Sequence, residues 1–403
     1  MTTKRLINVK LETGRLINEG QLRTSTALYT IDLDDTLITG IYLKDQEPIF
    51  TGPTIDIKGR LAMPPFKDMH NHLDKTYMTL GWRAALPVGS FPERLAAEAS
   101  ELPLLAPSTE RRAKAMIESL MKRGINHIRT HVNIDPYIGL ENLEGVLNAL
   151  QHYDKFITYD IVAFPQHGLL RDKVPQLMRE ALRSGATMVG GLDPGGIDNA
   201  VERSLDEIMS LATLFDADVD IHLHDRGHLG TYTYSKWLDI VAENHYQGRT
   251  AISHGFSLGD VSIPEQDELI ARLNEQDVKI MSTIPYGLTH QMPPIDRLRQ
   301  GGVNVHLGCD GFYDSWSSCV SSDVLEKLST FCELTGKITE EGLADSLSLI
   351  TNGKQPLTMG QLTWPLVGDS ADFIFIEAAA SAEIIARKPI DRLVMFNSQI
   401  LQF

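Results

Sequence analysis

Histidines and an aspartate stand at the ends of several short apolar runs, and their types are those of metal ligands. His70 and His72 are separated by one residue, so in an extended chain both imidazoles project to the same side and can hold one ion. His222 ends the run VDIHLHD, His254 ends AISHGF and Asp310 ends VHLGCDG. Such a set predicts a divalent ion with a position open for water, and that ion would make hydroxide available near neutral pH.

The elements that position these residues form a regular series. Eight runs rich in Val, Ile and Thr recur mostly about thirty residues apart, at 61–66, 125–131, 157–164, 186–192, 218–223, 250–254, 278–284 and 303–309. Helical patterns lie between them at Arg111–Lys122, Lys173–Arg183, Val201–Phe215 and Asp267–Asn274. This alternation favours an α/β fold built as a closed (β/α)8 TIM barrel, with an open doubly wound sheet as the alternative. Catalytic residues of such a barrel lie at the carboxyl ends of its strands, where the histidines and Asp310 fall.

Two parts of the chain depart from this series. Residues 1–59 and 360–403 read as short alternating strands with turn signals, and chain ends usually lie close together. We therefore predict that they form one small β-sandwich beside a barrel of residues 60–359. Gly81–Pro107 contains four prolines and follows the first run, which predicts a long loop acting as a lid over the catalytic face.

Composition excludes several classes of protein. The 403 residues include 42% hydrophobic and 22% charged residues, enough for a full core, and the net charge of −16 opposes binding to a phosphate backbone. No eighteen apolar residues run together, and the start lacks the apolar centre of a signal peptide. Three cysteines without zinc-site spacing fit a reducing compartment. We expect a cytoplasmic protein that binds neither nucleic acid nor membrane, with a homo-oligomer allowed.

A series of motifs along nearly the whole chain resembles one superfamily. HNHLDKT, IRTHVNI, VAFPQHG, GGLDP, DIHLHD, SHGF and GCDGFYDSW occur in this order, followed by GDSADFIF. Together they resemble the amidohydrolase superfamily, specifically its cytosine deaminase-like branch, and HLDKT with HLHD also resembles the N-isopropylammelide amidohydrolases. The resemblance implies hydrolysis of a carbon–nitrogen bond, by deamination or amine release, on a small nitrogen heterocycle.

The resemblance also implies a metal centre. It assigns His70, His72, His222 and Asp310 to one divalent ion, zinc or iron, and His254 to the water on that ion. Asp310 would be proton acceptor as well as ligand. Members with an extra metal use a carboxylated lysine or a glutamate at strand ends that here read TMVGGLDP and VAFPQ. A single-metal site follows from their absence.

The resemblance also assigns residues that return a proton and bind the ring. Asp225 matches a glutamate that shuttles protons in cytosine deaminases, and His224, on the same strand face as His222, is the alternative shuttle. Gln166 and Lys75 match positions that contact the ring in relatives, and a cation suits rings rich in oxygen.

Trp316 could stack on a flat ring or be a structural residue. Gly311 stands where cytosine deaminases usually carry a second acid, which argues against cytosine itself and leaves pyrimidine, purine, pterin and triazine rings open.

Two other functions compete with this interpretation. The segment from Asp32 to Leu37 copies the D-x-D-x-T motif of haloacid dehalogenase-type phosphatases, in which Asp32 would attack phosphorus and Asp34 would be the acid/base. Asp310 and Asp314 would then imitate the downstream acidic pair. A catalytically inactive binding protein on the same barrel is the second alternative. Neither alternative gives the set of histidines at the strand ends a function.

Overall fold

A computed structural model describes residues 3–285, 291–319 and 321–403. Five strands of different lengths precede the barrel: β1 (Lys4–Asn18), β2 (Gln21–Leu33), β3 (Ile38–Leu43), β4 (Thr54–Asp56) and β5 (Leu61–Met63). Eight strands then form the barrel: β6 (Phe66–Asn71), β7 (Ile125–Asn133), β8 (Thr158–Phe164), β9 (Met188–Leu192), β10 (Asp218–Leu223), β11 (Thr250–His254), β12 (Lys279–Ser282) and β13 (Val305–Leu307). Five more follow: β14 (Leu357–Thr358), β15 (Gln361–Leu362), β16 (Phe373–Ile376), β17 (Arg392–Phe396) and β18 (Gln399–Ile400).

The barrel strands are parallel and follow one another in chain order from β6 to β13. Most of their buried Val, Ile and Leu residues belong to one continuous core, as expected for strands covered on both faces. The ring closes where the amide of Asp310 donates to the carbonyl of His70 at 2.8 Å. Two of the predicted metal ligands therefore meet at the closing seam. The TIM barrel predicted from the sequence is confirmed.

The two ends of the chain pair with each other, which confirms the predicted terminal β-sandwich. Strands β18, β17, β16, β5, β1, β2 and β3 are hydrogen-bonded in that order, and β4 pairs with β1. Leu6, Ile31, Phe373 and Phe375 share a core separate from that of the barrel. The division of the chain at 59/60 and 359/360 stays a prediction.

One predicted strand divides into two. The run at 61–66 was expected to be the first barrel strand, but Leu61–Met63 pairs with β1 and β16 in the terminal sheet. The first barrel strand is Phe66–Asn71, which carries His70. Pro64 and Pro65 separate the two segments, and proline cannot donate to a ladder, so one continuous strand cannot form there.

Eleven helices lie in the described residues. They are α1 (Phe91–Leu105), α2 (Thr109–Lys122), α3 (Glu141–Gln151), α4 (Val174–Arg183), α5 (Val201–Phe215), α6 (Gly227–Glu243), α7 (Ile263–Glu275), α8 (Ile295–Gln300), α9 (Val324–Leu334), α10 (Glu340–Ala344) and α11 (Ser381–Arg387). Short 3-10 turns cover Ala106–Ser108, Phe256–Gly259 and Asp345–Ile350. Within those residues, no helix combines the length and apolar character needed to cross a bilayer.

The predicted lid is not a loop throughout. Helix α1 occupies most of its second half, with Ser90 capping the amide of Glu93 and Pro92 in the first turn. A proline there removes only an N–H that has no helical partner. Proline content predicted irregular chain, whereas Pro92 starts a helix. This helix packs over the carboxyl ends of the barrel strands and contributes Phe91 to the cavity described below.

Candidate active site

Four histidines and one aspartate converge at the carboxyl end of the barrel. Nitrogens of His70, His222 and His254 lie within 4.8 Å of one another, and so do the ligand atoms of His70, His72 and Asp310. The Nε2 atoms of His72 and His222 are 3.4 Å apart, and Asp310 Oδ1 is 3.4 Å from His72 Nε2. The ends of strands that are far apart in the sequence thus bring the five predicted residues together.

The hydrogen bonds of His70 determine which of its nitrogens faces the cluster. Ser253 donates its hydroxyl proton to the Asp220 carboxylate at 2.6 Å. Its oxygen therefore accepts from His70 Nδ1, which lies 2.7 Å away. His70 Nε2 is left with a lone pair, and it is buried without a hydrogen-bond partner among the described residues. An oriented, deprotonated nitrogen of this kind is what a metal ligand requires.

The same logic applies to His72, and His254 also has a buried ring nitrogen without a partner among the described residues. His72 Nδ1 donates to the backbone carbonyl of His131 at 3.0 Å, so its Nε2 also carries a lone pair toward Asp310. His254 Nδ1 lies 3.2 Å from the hydroxyl of Thr283. Its Nε2 is buried and has no partner in the part of the chain that the structure describes.

Burial holds these rings neutral. Burial lowers the pKa of His70 to about 3 and takes those of His222 and His254 well below the usual value. A buried neutral imidazole with an unpartnered nitrogen costs free energy unless something binds it. The donor set of imidazole nitrogens and one carboxylate suits zinc or iron. The residues present therefore fit a single divalent ion.

Backbone strain marks two of the same residues. His254 has φ of 70° and Asp310 has φ of 66°, in the left-handed region that residues other than glycine seldom adopt. Each such residue costs on the order of 1–3 kcal/mol, and such residues are enriched in active sites. His254 is the last residue of β11 and Asp310 lies three residues beyond β13, and both side chains belong to the cluster.

A cavity of about 470 Å³ lies above the cluster. Its walls are largely aromatic, with Phe91, Phe164, Phe256 and Trp316 lining it. The rings of Phe164 and His222 stack with centroids 4.1 Å apart. Flat apolar walls over a metal-binding floor suit a small planar molecule.

Of the two predicted proton shuttles, the geometry favours His224. His224 lines the cavity, its ring centre is 4.2 Å from that of His254, and its Nδ1 lies 2.9 Å from Asp193 Oδ2. Burial acts to lower the pKa of His224, but the Asp193 carboxylate outweighs it and the pKa is raised. The structure does not support the proton-shuttle role predicted for Asp225. Its carboxylate accepts hydrogen bonds from the amides of Gly195 and Gly196, and the residue does not line the cavity.

The predicted substrate residues share one side of the cavity. Lys75 Nζ donates to Gln166 Oε1 at 2.8 Å and lies 5.6 Å from the centre of the Trp316 ring. It is also 3.1 Å from Glu98 Oε1, with both side chains buried. Glu98 belongs to helix α1. The cation predicted for binding an oxygen-rich ring is therefore one member of a buried ion pair that joins the loop after the first barrel strand to the lid helix.

From the sequence alone, Lys75→Met is expected to reduce turnover of oxygen-rich rings far more than it destabilises the fold. The ion pair with Glu98 changes this expectation. Removing one member of a buried ion pair leaves an uncompensated charge and costs about 3–5 kcal/mol. We expect that loss in the free energy of unfolding, measured in urea. The double variant Lys75→Met/Glu98→Met should recover most of it, since an apolar pair of similar volume is often neutral. A single variant within about 1 kcal/mol of the parent would contradict the pairing.

Several residues of the site were not assigned from the sequence. His131 is fully buried among the ligands, with its ring centre 4.3 Å from that of His70, and Asp193 and Glu98 support His224 and Lys75. His131 and Asp193 stand at strand ends in IRTHVNI and GGLDP, so the rule applied to His222 would have found them. Glu98 carries no such signal, because the proline content of its segment predicts a loop.

The phosphatase alternative is wrong. Asp32 lies in the terminal sheet and forms a bidentate pair with Arg5. Asp34 accepts from the amides of Thr36 and Leu37 in a turn. Asp310, by contrast, lines the barrel cavity, so the acids that the motif requires do not share a site.

A parallel barrel with histidines and an aspartate converging at its strand ends defines the class of metal-dependent barrel hydrolases. The family model described as "Amidohydrolase family" matches residues 53–394. The chain belongs to this family, whose members are metal-dependent hydrolases of carbon–nitrogen bonds.

Individual relatives agree with this membership. The chain is 38% identical to the uncharacterized protein YahJ of Escherichia coli (strain K12), over 95% of this chain and 84% of that protein. It is 27% identical to N-isopropylammelide isopropyl amidohydrolase of Pseudomonas sp. (strain ADP), over 96% of each. The crystal structure of N-isopropylammelide isopropylaminohydrolase from Burkholderia multivorans superposes with a TM-score of 0.86 at 28% identity, over 99% of this chain and 98% of that one.

Proposed function

We propose that this protein hydrolyses an amino or alkylamino group from a small, flat nitrogen heterocycle, using one divalent metal ion per chain. The observation that carries the proposal is the cluster of neutral, oriented histidines with Asp310 on the floor of an aromatic cavity. The likeness to enzymes named for N-isopropylammelide supports the substrate class. Water is the second reactant, and the amine and the hydroxylated ring are the products.

The residues divide the work as follows. His70, His72, His222 and Asp310 would hold the ion. When bound, a divalent ion lowers the pKa of a coordinated water toward neutrality and so supplies a nucleophile. Asp310 lines the cavity and accepts the proton that the water loses.

With the Thr283 hydroxyl donating to its Nδ1, His254 carries its proton on Nε2, and this N–H stabilises charge that develops on the attacked carbon's substituents. Expulsion of an amine requires a proton on the leaving nitrogen. His224 delivers it, because Asp193 holds its Nδ1 side and leaves the other nitrogen for the cavity.

The ring is held between aromatic side chains and a polar edge. Trp316 and Phe91 have ring centres 5.5 Å apart on one wall. Gln166 keeps its amide nitrogen for a ligand, since its Oε1 is occupied by Lys75. A neutral ring with a carbonyl beside the reacting carbon satisfies that donor.

The test combines metal analysis with a product assay. We expect elemental analysis of the purified protein to give one tightly held zinc or iron per chain. Removal of that ion with a chelator should abolish release of ammonia or alkylamine from N-isopropylammelide, cytosine, pterin and related rings, and its return should restore activity. Two tightly held ions per chain would contradict the single-metal site. Absence of release from every ring by the metal-loaded protein would contradict the proposed reaction.

A further inference from the structure

A second buried carboxylate lies in the same cavity and has no function in the reaction described above. Asp314 is 1% exposed and lines the cavity together with Lys75 and Trp316. Its Oδ2 atom is buried and has no hydrogen-bond partner among the residues that the structure describes. A buried carboxylate oxygen in that state carries a large desolvation cost, which a bound donor would offset.

The orientation of this carboxylate is fixed by the chain around it. Its Oδ1 accepts from the amides of Trp316 at 2.8 Å and Ser317 at 2.9 Å. The Asp314 amide in turn donates to the Ser317 carbonyl at 3.0 Å. Oδ1 is thus held in a tight turn, which leaves Oδ2 as the oxygen that can accept a hydrogen bond from a ligand.

Gly311 leaves room for that oxygen. A Cβ atom built on Gly311 would lie 2.2 Å from Asp314 Oδ2, far inside van der Waals contact. A Cβ atom at position 311 would therefore have to displace the Asp314 carboxylate from its present place. Gly311 removes the acid that cytosine deaminases usually carry at this position, but the structure places a different acid, Asp314, in the adjacent space.

The nearby cation does not satisfy Asp314. Lys75 is committed to Glu98 and Gln166, and no ion pair joins Asp314 to a basic group within the described ranges. Burial raises the pKa of Asp314 to about 6, so the carboxyl is mostly ionised at pH 7.5. What remains is an acceptor oxygen without a hydrogen-bond partner, on a residue that lines a cavity of about 470 Å³.

We propose that Asp314 is a specificity-determining residue that accepts a hydrogen bond from a ring N–H of the substrate. The site then selects heterocycles that present an N–H donor, of the lactam or amidine type, together with a carbonyl for Gln166. The inference rests on the proposed function and adds to it the hydrogen-bonding pattern of the ring.

The test replaces the acceptor with a donor while keeping the turn. In Asp314→Asn the amides of Trp316 and Ser317 hold the amide oxygen in place of Oδ1, so the NH2 group faces the cavity. The probes are N-isopropylammelide, cytosine and pterin, each with its ring N-methyl derivative, and the readout is kcat/KM for amine or ammonia release. For the best N–H substrate we expect a loss of about 10- to 100-fold, the effect of losing one charge-assisted hydrogen bond. For the N-methyl derivative we expect a change of less than about threefold.

Asp135→Asn is the matched control. Asp135 is also fully buried, accepts a turn amide through Oδ1 and has an Oδ2 without a hydrogen-bond partner in the described structure, 3.6 Å from His167 Nδ1, but it does not line the cavity. Its substitution should leave the preference between each ring and its N-methyl derivative unchanged. Should Asp314→Asn fail to fold, Gly311→Ala serves instead, because its Cβ displaces Oδ2, and the same loss of preference is expected.

The outcomes separate the two proposals. A parent enzyme that releases amine from a probe, combined with a variant that keeps the N–H preference within twofold, overturns the role of Asp314 alone. A parent enzyme inactive on every probe overturns the proposed function itself. Collapse of the preference in Asp314→Asn, with Asp135→Asn unchanged, supports the inference.

Discussion

The Asp310→Asn variant is expected to lose turnover by about 10²- to 10⁴-fold or more while the chain still folds. The substitution preserves size, and the backbone amide of residue 310 can still donate to the His70 carbonyl that closes the barrel. It removes the only carboxylate in the proposed ligand set of the described site. It also removes the group proposed to accept the proton of the attacking water. One change therefore affects two steps that depend on each other.

Three measurements check this result. Circular dichroism reports the fold, elemental analysis reports metal retention, and kcat reports chemistry. Asp267→Asn is a suitable control, because that carboxylate is 64% exposed and pairs with Arg297 on the outside of the barrel, where ion pairs contribute little. A folded Asp310→Asn protein that turns over within about tenfold of the parent would show that Asp310 is not catalytic.

The second large effect is expected at His224. His224→Gln should lower kcat by about 10²- to 10⁴-fold, because the leaving amine then lacks its proton donor. Asp193→Asn should lower kcat less, since it disturbs the orientation of His224 without removing the imidazole. Metal content should stay at the parent level in both variants, which distinguishes a proton donor from a ligand.

Substrates with different leaving groups sharpen this test. A more acidic leaving group needs less protonation, so the loss in His224→Gln should shrink as the pKa of the departing amine falls. His228→Gln is the control, because that side chain is 90% exposed. An equal loss for every leaving group, or full activity in His224→Gln, would contradict the assignment and reopen the question of the proton donor.

Much of the architecture followed from local pattern. The apolar runs at 218–223 and 250–254 and the helix at 201–215 match the observed elements residue for residue. Parallel strands buried on both faces must be apolar, and helices that cover them must repeat at three to four residues. The position of His222 and His254 at strand ends was readable for the same reason. Barrel geometry then places every strand end on one face.

The interaction partners of the site side chains could not be predicted from the sequence. Glu98 forms an ion pair with Lys75 from a helix, although the proline content of that segment predicts a loop. His224, not Asp225, lines the cavity, and Asp193 at the end of the neighbouring strand holds its ring. Burial and rotamer choice depend on groups that approach from distant parts of the chain.

The sequence by itself thus determined the barrel, the terminal sheet and the residues able to bind a metal, because these depend on periodicity and residue type. Tertiary structure alone decided the charge of the cavity wall, which of His224 and Asp225 lines the cavity, and the placement of Asp314 beside Gly311. Those features arise only when the closing barrel and its lid helix bring separate segments within hydrogen-bond distance.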